Sequence, residues 1–253
     1  MGKIAFHPIV TAVEYVGKLA GMLATTLTYF ARLSVDFRMT IFHMSNLGVN
    51  SIPITLLVVG FTGMILSVQV TEQAVRFGTT QFIGGGIAFV MVRELAPVLT
   101  AVVMAGRVGS SIASELGSMK VTEQIDALRS LAVNPIQYLV APRMLALMIM
   151  IPAVTVIAGL TGIMAAYMVA HQVYGVNWEV FYSYIPRLVE QRDVSAAMLK
   201  SGLFAITIAL IGCVEGMHTE GGASGVGKAT TNAVVVSIVS IFALNYALTV
   251  LLF

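Results

Sequence analysis

The gaps between charged residues divide the chain into long apolar stretches. No charge falls between Arg38 and Glu72, between Arg143 and Glu179, or after Lys228. A helix crossing a hydrocarbon core of about 30 Å needs about 20 mainly apolar residues. These windows predict three spans, near Ile52 to Val70, Leu145 to Ala170 and Thr231 to Phe253. Two further spans are less clean. Phe82 to Gly106 carries Arg93 and Glu94, and Leu199 to Met217 is bracketed by Lys200 and Glu215. Continuous apolar runs such as Met144 to Ile157 lack the alternation of a membrane β-barrel, so all five spans are read as helices.

The first fifty residues follow another rule. Thr11, Glu14, Lys18, Thr25, Thr28, Arg32 and Asp36 recur at helical steps, while Val10, Val13, Leu23, Leu27, Phe30 and Leu33 fill the other face. That pattern suits an amphipathic helix lying in the membrane interface; a sixth, poorly hydrophobic span is the rival. Glu14 and Lys18 interrupt what would be the apolar core of a cleaved signal peptide.

Composition agrees with a membrane protein. Of 253 residues, 58% are hydrophobic and 10% charged, against roughly 25% charged in soluble chains. The 14 Lys plus Arg nearly cancel the 12 Asp plus Glu, which argues against nucleic acid as a partner. The single cysteine, Cys213, has no second cysteine for a disulfide or metal cluster and reads as packing.

Cytoplasmic loops carry the excess of Lys and Arg. With the N-terminus inside, the inner loops hold Lys3, Lys18, Arg32, Arg38, Arg107, Lys120, Arg129, Arg143 and Lys228. The outer side holds Arg76, Arg187, Arg192 and Lys200, so the expected topology is N-terminus cytoplasmic and C-terminus periplasmic. The largest inner loop then runs from Arg107 to Arg143, and an aromatic-rich outer segment from His171 to about Lys200. No repeat or linker divides the chain, so a single domain is expected, with an interfacial region at 1–50 and a five-helix region at 52–253.

Four places invite a chemical reading. Gly222 to Lys228 has the spacing G-x-x-x-x-G-K of a phosphate-binding loop, but Ala229 stands where Ser or Thr would meet magnesium. Such a loop also needs a preceding strand. A tight inner turn, with Thr230 and Thr231 capping the last helix, is the better reading.

Arg93 and Glu94 interrupt the second span, where each charge costs about 2.5 to 3.5 kcal/mol on insertion scales, so neither faces lipid. Pro97 lies three residues on, frees a backbone carbonyl and can kink the helix. A wet cavity and a structural ion-pair network both fit these residues.

In the inner loop, Thr122 followed by Glu123-Gln124 predicts a short amphipathic helix ending before Asn134-Pro135. It places Ile125 and Leu128 on one stripe and Glu123, Asp126 and Arg129 on another. Docking into a partner's groove and a plain solvated connector are both open.

The histidines His7, His43, His171 and His218 have no second ligand at metal spacing, and no hydrolase motif occurs. No catalytic residue, metal site or cofactor is therefore assigned.

The stretch Arg93-Glu-Leu-Ala-Pro97, then Ala105 to Gly117, Met119, Val121 to Leu128, Asn134-Pro135 and Ala141-Pro-Arg143, resembles the signature of the MlaE family. Gly222 to Val235, with Gly225-Val-Gly227 and Ala229-Thr-Thr231, resembles the family's other signature. The likeness runs from about Ile52 to the C-terminus.

The resemblance implies a permease subunit of an ABC transporter in the bacterial inner membrane, working as a homodimer with a cytosolic ATPase and a periplasmic MCE-domain protein. Its expected cargo is phospholipid. The chain itself would not be an enzyme, since ATP hydrolysis would lie on the separate ATPase. Glu123, Gln124, Ile125, Asp126, Ala127 and Leu128 would form the coupling helix, and Arg93, Glu94 and Pro97 would lie at the lipid cavity. Two alternatives remain: a self-sufficient proton-coupled secondary transporter using Arg93 and Glu94, and a scaffold that only anchors partners.

Overall fold

The computed structural model describes residues 7–32 and 34–253. The expected parts of Lys3 and Leu33, and the side-chain positions of His7 and Thr11, lie outside what is described. The described residues form helices joined by short turns, with no strand among them. Helix α1 covers His7–Ala31. Among the described residues, five helices are long and apolar enough to cross a membrane: α2 (Phe37–Arg76), α3 (Thr80–Val121), α5 (Ile136–Tyr174), α8 (Gln191–Met217) and α9 (Gly222–Leu252). Short helices join them: α4 (Gln124–Ser130) follows α3, while α6 (Trp178–Ser183) and α7 (Ile185–Leu188) follow α5.

Each helix outruns the span that charge gaps marked, because those gaps delimit only the part suited to hydrocarbon. The first span does not start at Ile52. Asp36 caps the backbone N–H groups of Arg38 and Met39, and the helix runs on from Phe37 through a π turn at Met44–Gly48. Residues 37–50 thus belong to the first long helix, not to the interfacial region. Similarly, the expected inner loop is mostly helix. Val108, Ile112 and Leu116, four residues apart, stay fully buried against α8 and carry α3 on to Val121.

Packing decides the layout. Helix α2 lies along α5 so closely that a side chain at Gly63 would run into the Gly162 carbonyl, and the Ser67 hydroxyl donates to the Ala166 carbonyl at 2.7 Å. Small residues permit this backbone approach, which van der Waals contact and interhelical hydrogen bonds stabilise in lipid. Helix α8 is the central element, with 67% of its most apolar window buried, against 11% for α9. Helix α9 leaves Val235, Val239, Phe242, Tyr246 and Val250 exposed along one face. Helix α1 rests across the ends of α8 and α5. It sinks Met22 and Thr26 into the bundle and leaves Val13, Val16 and Leu27 exposed, as suits a helix in the membrane interface.

Two expectations fail at the ends of α8 and α9. Lys200 is not an outer-loop charge: α8 begins at Gln191 with a capping box between Glu190 and Asp193, which puts Lys200 in its third turn with no exposed surface. The Gly222 to Lys228 stretch is not a turn but the first two turns of α9. The reversal is made before it, with Gly221 and Gly222 at φ 87° and 67°. Thr230 and Thr231 are therefore not caps. Their hydroxyls bond the carbonyls of Val226 and Gly227, four residues back within the helix.

Candidate functional site

The backbone around Arg93 and Glu94 is prepared by Pro97. Proline has no N–H and its ring clashes with the carbonyl four residues back, here that of Arg93. Helix α3 adapts with a π turn at Met91–Leu95, directly before the helical segment that opens with Pro97 near its first position. The released Arg93 carbonyl finds another donor, the Lys200 ammonium at 3.2 Å. Pro97 itself is buried in the helix core.

Lys200 ties the site together. Its Nζ also lies 2.8 Å from Glu94 Oε1 and donates to Thr249 Oγ1 at 2.8 Å. Asn245 Nδ2 donates to Glu94 Oε2 at 2.9 Å, and the Thr249 hydroxyl lies 3.0 Å from Glu94 Oε1. Arg93 turns the other way on the helix, with its Nε 3.3 Å from Asp193 Oδ1 and its guanidinium over the Phe253 ring at 3.2 Å. Two cations and two carboxylates make a neutral set drawn from α3, α8 and α9.

The set is not sealed. The Lys200 side chain is fully buried, but those of Glu94 and Arg93 keep 31% and 23% of their surface exposed. A separate cleft of about 170 Å³ lies between α3, α5 and α8, lined by Val92, Ala96, Gly159, Val194, Ala197 and Met198 and by none of the charged residues of the set. Charge and hydrogen-bonding groups thus lie on the α9 side of α3 and α8, and an apolar cleft on their α5 side.

At the opposite end of α3 stands α4. Its predicted start at Thr122 is displaced, because Thr122 ends α3 and the new helix begins at Gln124, with Gln124 Nε2 donating to the Thr122 hydroxyl at 3.0 Å. Glu123 makes the joint at φ 61°, and Ala132 turns the chain beyond the helix at φ 60°. A left-handed conformation costs a non-glycine residue of order 1 to 3 kcal/mol. Glu123, Gln124, Asp126 and Ala127 are exposed, Leu128 is half-buried, and Ile125 is fully buried. Ile125 therefore anchors the helix to the bundle and offers no surface to a partner.

Around Asp126, Lys120 Nζ lies at 2.8 Å and Arg129 Nη1 at 3.0 Å. Hydrogen bonding from Lys120, helped by the charges of Lys120 and Arg129, holds the Asp126 carboxyl below its ordinary range. A second buried cation braces the helices on either side of α4. Arg143, 2% exposed, lies 2.7 Å from Glu115 Oε1 and donates to the Leu139 carbonyl at 2.6 Å.

Sequence reasoning found Arg93, Glu94 and Pro97 but missed Lys200, Asp193, Asn245, Thr249 and the Glu115–Arg143 pair. A signal for Lys200 was present: it sits between Ala196-Ala-Met-Leu199 and Gly202-Leu-Phe204, an apolar context in which a lysine needs a buried partner. Asn245 and Thr249, four apart in the last span, share one helical face.

These features define a polytopic helical membrane protein with an interior polar site and a short helix displayed at one end. The chain belongs to the MlaE permease family: the family model, described as Permease MlaE, matches residues 40–251. A probable ABC transporter permease protein of Synechocystis is 42% identical over 219 residues, covering 87% of this chain and 83% of that protein. The chloroplastic protein TRIGALACTOSYLDIACYLGLYCEROL 1 of Arabidopsis thaliana is 38% identical over 214 residues, 85% of this chain and 61% of its own length. A probable ABC transporter permease protein of Rickettsia bellii is 35% identical over 240 residues, 95% of this chain and 93% of that protein. The chain is thus a multi-pass permease subunit.

Proposed function

We propose that this permease is the membrane subunit of an ABC transporter that moves phospholipids between a bacterial inner membrane and a periplasmic MCE-domain protein. ATP is hydrolysed on a separate cytosolic ATPase. The observation that carries the lipid assignment is that α3 and α8 carry a partly open polar set at Arg93 and Glu94 toward α9 and an apolar cleft toward α5. An amphiphile needs both surfaces. The names of the Synechocystis and Rickettsia relatives support the ABC class, and the Arabidopsis relative carries a galactolipid in its name.

On this reading the end bearing α1 and α4 faces the cytosol, and α9 ends on the periplasmic side. Helix α4 is the coupling helix, with Glu123, Gln124, Asp126, Ala127 and Leu128 meeting the ATPase while Ile125 transmits its displacement to the core. The Glu115–Arg143 bridge makes the flanking helices move with it. Two copies of the chain enclose the lipid cavity, with Arg93 and Glu94 at its wall and the buried Pro97 behind them, shaping the helix that carries them. ATP shifts the cavity between two shapes only in so far as the complex binds it more tightly in one of them.

Native mass spectrometry of the complex from its own membrane tests the assignment. The expected species contains two permease chains, an ATPase in fixed stoichiometry and bound phospholipid. Lipid movement driven by a proton gradient, with no ATPase present, would establish the secondary-transporter alternative instead.

A further inference from the structure

A second cleft, of about 710 Å³, opens between α1 and the segment that follows α4. It is far from the Glu94 set, at the other end of the bundle. Gly17 and Gly21, four residues apart on α1, form part of its wall, and a side-chain carbon built at either meets no atom within 4 Å. Lys18, Arg129 and His218 line it and, among the described residues, no carboxylate does. The His218 Nδ1 is held 2.9 Å from the Val214 carbonyl, which leaves Nε2 as the ring's other polar atom.

The lining of the cleft is positive. The cleft's own lining carries Lys18 from α1 and Arg129 from the end of α4; Asp126, shared by Arg129 and Lys120, and Glu215, which lies against Tyr15 of α1, are the carboxylates nearby and neither lines it. Apolar surface adjoins the charges, from Met22, Ile136 and Met217. A helix lying in a membrane interface keeps the cleft at headgroup depth. The geometry points to a phosphate-binding cleft in which Lys18 and Arg129 hold the headgroup of an anionic phospholipid from the leaflet on the α4 side. This assignment rests on the membrane position of α1 and not on which cargo the Glu94 site takes. Its consequence is that occupancy ties α1 to the base of α4, so the anionic content of that leaflet sets how firmly α4 is held.

The test uses the full complex in nanodiscs, with lipid retention read by native mass spectrometry across a titration of phosphatidylglycerol into phosphatidylcholine. Lys18→Gln with Arg129→Gln should weaken phosphatidylglycerol retention about thirtyfold, the factor matching about 1 kcal/mol for each basic residue near an anionic surface. Because Arg129 also touches Asp126, a second variant keeps every charge. Gly17→Leu with Gly21→Leu fills the cleft and should abolish the same retention while the melting temperature holds. Inorganic phosphate is the competing arm, and it should not displace the lipid at equal concentration. Retention unchanged in both variants, no preference for phosphatidylglycerol over phosphatidylcholine, or displacement by equimolar phosphate would each overturn the proposal.

Discussion

Lys200 and Lys120 each lie 2.8 Å from a carboxylate, yet the two pairs do different work. The Lys200 side chain has no exposed surface and its partner Glu94 is 31% exposed, whereas the side chains of Lys120 and Asp126 are 30% and 45% exposed. Distance alone does not rank them. Where water can replace a lost partner, an ion pair contributes little. Where it cannot, removing one partner strands the other, and the penalty is that of an uncompensated buried charge. The Glu94 set therefore holds three helices together as well as presenting polar groups, while the Asp126 set shapes a displayed surface.

The largest expected effect follows from that contrast. Glu94→Ala leaves the Lys200 ammonium with only the Thr249 hydroxyl and the Arg93 carbonyl, and should cost about 3 to 5 kcal/mol of stability. Adding Lys200→Met should return most of the loss, because the stranded charge goes with it. Thermal unfolding of the single and double variants in detergent measures both. A double variant no more stable than Glu94→Ala would show that Lys200 is not the group left behind. Lipid transfer by the double variant, if its fold is restored, then separates cavity lining from scaffolding: on the proposed function, transfer stays lost.

At the displayed end, the expected effect is on association and not on folding. Glu123 is exposed and, among the described residues, makes no bond to another side chain, so Glu123→Lys should leave the melting point unchanged. A reversed charge at a charged interface weakens binding by roughly tenfold or more. Pull-down of the ATPase at wild-type levels by the variant would remove α4 from the docking surface.

Pro97→Ala sharpens the comparison within the buried set. The alanine N–H can return to the Arg93 carbonyl and compete with Lys200 for it, while Lys200 keeps Glu94 and Thr249. The gain and the loss are each about one hydrogen bond, so stability should change by no more than about 1 kcal/mol. A loss as large as that of Glu94→Ala would mean that the π turn itself, and not the ion pair, carries the stability.

Much of this was legible in the sequence, for reasons that differ by residue. The five membrane helices follow from apolar length, since lipid leaves the backbone no other way to satisfy its hydrogen bonds. Arg93 and Glu94 stand out because charge is costly in that setting. Their partners do not, because pairing is a relation between helices and a single chain's spacing carries no interhelical register. Treating every charge beside an apolar run as a boundary puts Lys200 in a loop. The same rule puts Arg143 at the end of the inner loop, although it is 2% exposed. The α4 boundary failed by two residues because the left-handed turn at Glu123 has no residue-type signature: glycine or asparagine would have marked it, and glutamate does not.

The smallest expected effect is the pH response of the exposed set. The Asp126 carboxyl is held below its ordinary range chiefly by the hydrogen bond from Lys120, so the folded state binds that proton less readily than the unfolded chain does. A group whose pKa is depressed on folding adds stability above its unfolded value, about 4, and loses it as the pH falls through the lower folded value. Asp126→Asn should therefore melt slightly below the wild type at pH 7, with the gap closing as the pH drops below about 4. Paired melting curves from pH 7 to pH 3 measure this, with Glu94→Gln as the buried counterpart. A gap for Asp126→Asn that stays constant or widens in acid would show that its charge is not what the pair contributes.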